Sequence, residues 1–243
     1  LASEGPLTPE ETRRYARHLV LKGFGGPAQQ KLKATRVLVV GAGGLGSPAI
    51  AYLAAAGVGR LTIVDPDVVS LTNLQRQVVH TTASIGTGKA ASAGTFAGAL
   101  NPHVVLDLHA EAVTDANADQ LAGAADIVLD GTDNLVTRRI VATACERCKK
   151  PLVSGAVSMF SGQVTIFAPH LGGPPHAALY PNAASDDALP SCEANGILGP
   201  VTGVIGTLMA MEAIKLATGV GTPLIGRLLI YDAREASFSE LGY

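Results

Sequence analysis

The hexapeptide Gly41-Ala-Gly-Gly-Leu-Gly46 constrains this chain more than any other stretch. An apolar run, Arg36-Val-Leu-Val-Val40, precedes it, and a small-residue run, Ser47-Pro-Ala-Ile-Ala-Tyr-Leu-Ala-Ala-Ala56, follows it. Strand, glycine turn and helix in that order form an anion site. The turn brings backbone N–H groups close to a phosphate, and the helix N-terminus adds partial positive charge. Gly41, Gly43 and Gly46 match the dinucleotide pattern G-x-G-x-x-G, and Asp65 closes the next predicted strand, where an acidic residue binds ribose hydroxyls. NAD, FAD and ATP all satisfy these two features.

The pattern around the turn is that of a doubly wound sheet. Strands are predicted at 36–40, 60–64, 104–109, 126–130 and 152–154, with helices at about 46–56, 86–100 and 135–149 between them. After residue 155 the rhythm changes. A strand at 162–167 has no short crossover helix of its own, and an aperiodic loop spans about 169–190. A buried helix at 200–218 and a strand at 227–231 complete the chain. The expected fold is therefore α/β, a Rossmann-like doubly wound sheet with a parallel N-terminal half and an antiparallel C-terminal extension. One domain is expected over 1–243. It comprises a helical arm (1–35), a nucleotide-binding half (36–155) and a second half (156–243) with a crossover loop at about 169–195. Thr8-Pro-Glu-Glu11 supplies the arm with an N-cap, a first-position proline and a capping-box glutamate, and a glycine-rich hinge, Gly23-Phe-Gly-Gly-Pro27, separates it from the first strand.

Composition excludes several classes. With 18 basic and 20 acidic residues the net charge is −2, which gives no electrostatic basis for binding nucleic acid. The charge-free runs 37–59 and 196–211 are cut by glycines and are expected in the core, not in a membrane. The first residues lack a basic and an apolar signal region, so a cytoplasmic protein is expected. Three cysteines suit neither a disulfide framework nor a four-thiolate zinc site. Cys145 and Cys148, in a predicted helix, are expected to be ordinary helix residues.

The residues after Asp65 narrow the choice of nucleotide. A dinucleotide enzyme holds its diphosphate on backbone amides and has little use for Arg76 and Lys89. Attack on an α-phosphate does, because charge builds on equatorial and leaving oxygens. Each cation taken singly also fits a solvated surface. The strand Asp126-Ile-Val-Leu-Asp130 delivers Asp130, Asp133 and Asn134 to the edge where open α/β sheets bind ligands. Mg²⁺ favours one or two carboxylates plus phosphate oxygens, which makes Asp133 the candidate metal ligand. Helix N-capping is its structural alternative, and Asp130 is expected to be structural.

Taken in order, Arg14-Tyr-Ala-Arg17, the glycine turn, Asn73-Leu-Gln-Arg-Gln77, Lys89, Gly131-Thr-Asp-Asn134, Ser154-Gly-Ala156, Gly162-Gln-Val164 and Cys192-Glu-Ala-Asn-Gly196 form one constellation. It resembles the ubiquitin-activating E1-like superfamily, and in particular the bacterial MoeB/ThiF adenylyltransferases. The resemblance implies ATP-dependent adenylation of the C-terminal Gly-Gly carboxylate of a small ubiquitin-like sulfur-carrier protein, with release of pyrophosphate. By position, Asp65 would hold the ribose, and Asn73, Arg76 and Lys89 the phosphates. Asp133 would hold Mg²⁺, and Arg17 would reach the site of the other subunit in a homodimer. The implied nucleotide contacts also include Gly41, Gly43, Gly44, Gly46, Asp67, Thr72, Leu74, Gln75, Thr132 and Asn134. Cys192 is the candidate thioester acceptor, although Glu193 beside it would raise a thiol pKa. Pro175 and Ala178 stand where relatives place a zinc-binding C-x-x-C pair, so no structural zinc is expected. The competing readings are an NAD-dependent oxidoreductase and an ATP-binding module without catalysis.

Overall fold

The computed structural model describes residues 5–181 and 196–243. Three helices form the arm: α1 (Pro9–Arg14), α2 (Ala16–Leu19) and α3 (Gly25–Ala34). The capping box on α1 is complete, with Glu11 N–H donating to Thr8 Oγ1 at 3.2 Å and Thr8 N–H donating to Glu11 Oε2 at 2.7 Å. The expected hinge at Gly23–Pro27 is instead the start of α3, whose Gly25 takes φ +63°.

The body alternates β1 (Arg36–Val40), α4 (Gly46–Ala56), β2 (Arg60–Val64), α5 (Lys89–Leu100), β3 (Val105–His109), α6 (Ala118–Ala124), β4 (Ile127–Asp130), α7 (Leu135–Cys148) and β5 (Leu152–Ser158). It continues with β6 (Ser161–Phe167), α8 (His176–Leu179), α9 (Gly199–Thr218), β7 (Arg227–Asp232) and β8 (Ser237–Gly242). The strands form one sheet in the order β3-β2-β1-β4-β5-β6-β7-β8. From β3 to β5 every pairing is parallel, and from β5 onward every pairing is antiparallel.

Further parts differ from the sequence expectation, among them α6 and β8, which it did not include. Helix α5 begins at Lys89, later than 86, because the segment after β2 is held by turns and by a bridge between Val68 and Gly88. Strand β5 runs on to Ser158, paired through Ser158↔Ser161 with β6. The described part of the 169–190 loop carries helix α8, and its remainder, with Cys192, lies outside the described residues.

The parallel strands are covered on both faces, which is why they read as continuous apolar runs. Along β1, Val37 and Val39 face a core shared with α4, α5 and α9, while Leu38 and Val40 face a second core shared with α6 and α7. Helix α9 is long and apolar enough to cross a membrane. In this fold it packs on α4, β5 and β6, with Ile205, Met209 and Ala213 in the first core. Cys145 sits in the second core with its thiol pKa pushed up by burial, and the Cys148 Sγ faces the Asp119 carbonyl at 3.5 Å.

Candidate active site

The glycine turn between β1 and α4 is built by close approach. Gly41 has φ +92°, a left-handed conformation that favours glycine. A Cβ on Gly46 would stand 1.8 Å from the Gly41 carbonyl oxygen, so the first turn of α4 can press against β1 only with glycine there. The N–H groups of Gly43 and Gly44 have no acceptor among the described residues. Unpaired amides at a helix start form an anion cradle.

Asp65 directly follows β2 beside this turn and is 5% exposed. Its Oδ2 accepts the Ala42 N–H at 2.7 Å and its Oδ1 accepts the Asp67 N–H at 2.9 Å. Burial lifts its pKa above the ordinary value, against the pull of those two hydrogen bonds and of Lys89. A carboxylate has about four acceptor positions, so two remain for hydroxyl donors.

Lys89, buried at the start of α5, pairs with the exposed carboxylate of Asp67 at 2.8 Å. Among the described residues the Arg76 guanidinium donates to the Thr72 carbonyl alone, at 3.2 Å. On β4, Asp130 is 1% exposed and structural: its Oδ1 accepts from the Thr132 N–H at 3.0 Å and the Thr132 hydroxyl at 2.6 Å. The N-cap of α7 is Asn134, which accepts the Thr137 N–H at 2.7 Å. Asp133 is thereby relieved of capping. It is exposed, and no hydrogen bond or ion pair holds its carboxylate among the described residues.

A single cavity of about 830 Å³ gathers these groups. Gly41, Gly43, Gly44, Asp65, Asp67, Arg76, Lys89, Thr132, Asp133 and Asn134 line it. It continues onto the β5–β6 hairpin, where Ser158, Ser161 and Gln163 form its wall. Gly46, Thr72, Asn73, Leu74 and Gln75 do not line it. Gly46 acts through packing, while 71–73 form a short turn behind Arg76. Arg17 lies exposed on α2, outside the lining. Among the described residues no three His, Cys, Asp or Glu side chains cluster as a ready metal cage.

Sequence reasoning missed two residues of this wall, Arg138 and Gln77, and one behind it, His80. The Arg138 guanidinium donates to the carbonyls of Thr132 and Gly155, the latter at 2.7 Å, and lies 3.5 Å from Asp130 Oδ2, fastening the Asp133 loop to β5. Gln77 lines the cavity with a buried Oε1 that has no partner among the described residues. His80, buried behind the turn, holds the Ala42 carbonyl. Only the spacing after Asn73 pointed near Gln77, and nothing in the local pattern marked Arg138 or His80.

Comparison with known proteins agrees with this geometry. The family model described as "ThiF family" matches residues 15–242. The chain is 46% identical over 235 residues to "Probable adenylyltransferase/sulfurtransferase MoeZ" of Mycobacterium tuberculosis, covering 96% of this chain and 60% of that protein. It therefore spans less than two thirds of that relative. It is 44% identical over 237 residues to the SAMP-activating enzyme E1 of Haloferax volcanii, covering 98% of this chain and 87% of that one. Among solved structures, PaaA shares the fold at a TM-score of 0.81 and 21% identity, over 97% of this chain and 74% of that chain. A strand–turn–helix cradle, the ordered carboxylates of β2 and β4 and a match over nearly the whole length lead to one conclusion: the chain belongs to the ThiF family.

Proposed function

We propose that the chain is an adenylation enzyme that uses ATP to activate the C-terminal Gly-Gly carboxylate of a small ubiquitin-like sulfur carrier. The observation that carries this reading is the continuity of the cavity, which runs from the Gly43–Gly44 cradle past Asp65 and Asp133 to the β5–β6 hairpin. A nucleotide fits the first part and an extended peptide tail the second. The names of the relatives, an adenylyltransferase/sulfurtransferase and an E1 that activates SAMP, support the same assignment.

In the reaction a carboxylate oxygen of the tail attacks the α-phosphorus of ATP. The bond from that phosphorus to the bridging oxygen breaks, pyrophosphate leaves and the acyl adenylate remains, with no net proton transfer. Asp65 would accept the ribose hydroxyls. The Gly43 and Gly44 amides, Arg76 and Lys89 would face the phosphates, where positioned charge stabilises the transition state. Lys89 would share its charge between Asp67 and a phosphate oxygen. The unpaired, cavity-lining carboxylate of Asp133 fits Mg²⁺, which needs one or two carboxylates beside phosphate oxygens. When bound, the ion would neutralise charge on the phosphates. The working unit is a homodimer in which Arg17 of each copy serves the other copy's site.

Pyrophosphate exchange into ATP tests the proposal. Exchange that appears only when a carrier ending in Gly-Gly is added is the expected result, and it names the carrier. Carrier-independent exchange, or none with any Gly-Gly carrier, would defeat it.

A further inference from the structure

The peptide unit between Ala42 and Gly43 has the Ala42 carbonyl at one end and the Gly43 N–H at the other. In a trans peptide these two groups point in opposite directions. Whatever holds the carbonyl therefore aims the N–H. The Ala42 carbonyl accepts from His80 Nε2 at 2.9 Å and from the Ser47 hydroxyl at 3.4 Å. The Ala42 N–H, on the preceding peptide, is held by Asp65 at 2.7 Å. Glycine at 43 lowers the barrier to a peptide flip, and a flip would present a carbonyl oxygen to the cavity in place of a donor.

His80 is 5% exposed and its ring is held at both nitrogens. A carbonyl can only accept, so Nε2 must carry the proton. In the neutral ring Nδ1 is then an acceptor, and the Ser92 hydroxyl of α5 stands 2.9 Å from it, able to donate. Burial drives the imidazole pKa down and the positive charge of Lys89 on α5 adds to this. The Ala42 hydrogen bond and the negative charge of Asp65 at the end of β2 act the other way, and the net direction is down. The ring is neutral at neutral pH, in one tautomer.

We infer that His80, with its tautomer fixed by the Ala42 carbonyl and its Nδ1 satisfied by Ser92, is a positioning residue that locks the Ala42–Gly43 peptide with the Gly43 N–H turned toward a bound phosphate. This rests on the proposed nucleotide reading for the identity of the anion, but not for the geometry. His80 touches no substrate. Its contribution is to keep a preorganised donor from turning away, which matters because reorganisation at the moment of reaction is what such sites avoid.

The experiment combines NMR of the full chain with ATP titration of His80→Phe, His80→Gln and Ser92→Ala. In the parent protein the ¹⁵N shifts of His80 should show a protonated Nε2 and a bare Nδ1. An Nδ1-protonated ring overturns the inference without need of any variant. His80→Phe removes the donor and should shift the Gly43 amide resonance and raise the Kd for ATP roughly tenfold, equivalent to about 1.4 kcal/mol. His80→Gln keeps an N–H for the carbonyl and should stay within about threefold of the parent. Ser92→Ala, which leaves Nδ1 without its hydroxyl donor and the ring anchored at one nitrogen, should fall between them. Equal ATP affinity in the parent and the Phe variant, or equal losses in the Gln and Phe variants, overturns the inference. If the Phe variant does not fold, the parent's tautomer and the Gln and Ala variants decide. A parent protein that binds no ATP removes the nucleotide reading alone, and the ring tautomer and Gly43 amide shift still decide the role of His80.

Discussion

Asp65, Asp130 and Asp133 come from the C-terminal ends of β2 and β4, yet their oxygens are committed to different degrees. Asp65 spends one lone pair on each of two backbone amides and keeps capacity for a ligand. Asp130 is consumed by Thr132 and Arg138, with its side chain 1% exposed. Asp133 holds nothing among the described residues. Opposite consequences follow for two alanine substitutions. Asp133→Ala should lower pyrophosphate exchange by about two orders of magnitude or more, if the carboxylate holds the ion on the phosphates. Its melting temperature should stay close to the parent's, because no internal contact is lost. Asp130→Ala strands the buried Arg138 guanidinium and should destabilise the fold by about 3 kcal/mol. Exchange assays beside thermal melts separate the two. A folded Asp133→Ala protein with normal exchange would remove Asp133 from the chemistry, and an Asp130→Ala protein as stable as the parent would show that Arg138 needs no counter-charge.

At the level of elements, the antiparallel half is set by how closely α9 lies on it. A Cβ on Gly162 of β6 would fall 2.3 Å from Ile205 Cγ1, and one on Gly155 of β5 would fall 2.4 Å from Met209 Sδ. Methionine can yield, but β-branched Ile205 is stiff and fully buried. Gly162→Ala should therefore cost about 1–3 kcal/mol of stability by overpacking. In an Ile205→Ala background the same change should cost clearly less, with Val157 Cγ1 at 3.0 Å the neighbour that remains, a coupling that a double-mutant cycle in denaturant measures. Additive losses would mean that the contact does not limit the approach. The same closeness explains what the sequence made legible. Elements whose pattern is dictated by two-sided burial, such as β1, β2 and β4, were readable from their apolar runs, and the glycine turn from its chemistry. Strand β8 was not, because Ser237–Gly242 is exposed throughout and its Phe238 gains only a stack on Tyr231 at 4.8 Å. Helix α6 has seven residues, too few for a periodic signal. In the site, Asp65, Lys89 and Asp133 were readable because their side-chain types match ligand chemistry. His80 and Arg138 act on backbone carbonyls 38 and 17 positions away, and no local pattern encodes such contacts.

For the whole molecule the decisive question is where Arg17 works. The arm is fastened to its own body by contacts that leave α2 little freedom. Arg14 donates to the Leu100 carbonyl at 3.0 Å and Asn101 donates to the Tyr15 hydroxyl at 2.8 Å, while within the arm Lys33 pairs with buried Glu11 at 2.8 Å and ties α1 to α3. Breaking the Glu11–Lys33 pair alone would leave an uncompensated buried charge, at a cost of several kcal/mol. With the arm so held, Arg17 is exposed and outside the lining of its own cavity, and Val20 and Leu21 beside it are exposed as well. An isologous dimer would place this face over the partner's cavity and the reverse. Mixing subunits tests the arrangement. Arg17→Ala and Asp133→Ala dimers should each be inactive in exchange. After random subunit exchange at equal amounts, half the dimers are mixed, and each has one site with both residues intact. About one quarter of the parent's sites should then return. If Arg17 serves its own chain, every site in the mixture lacks one residue or the other, and activity stays at background however long the subunits exchange.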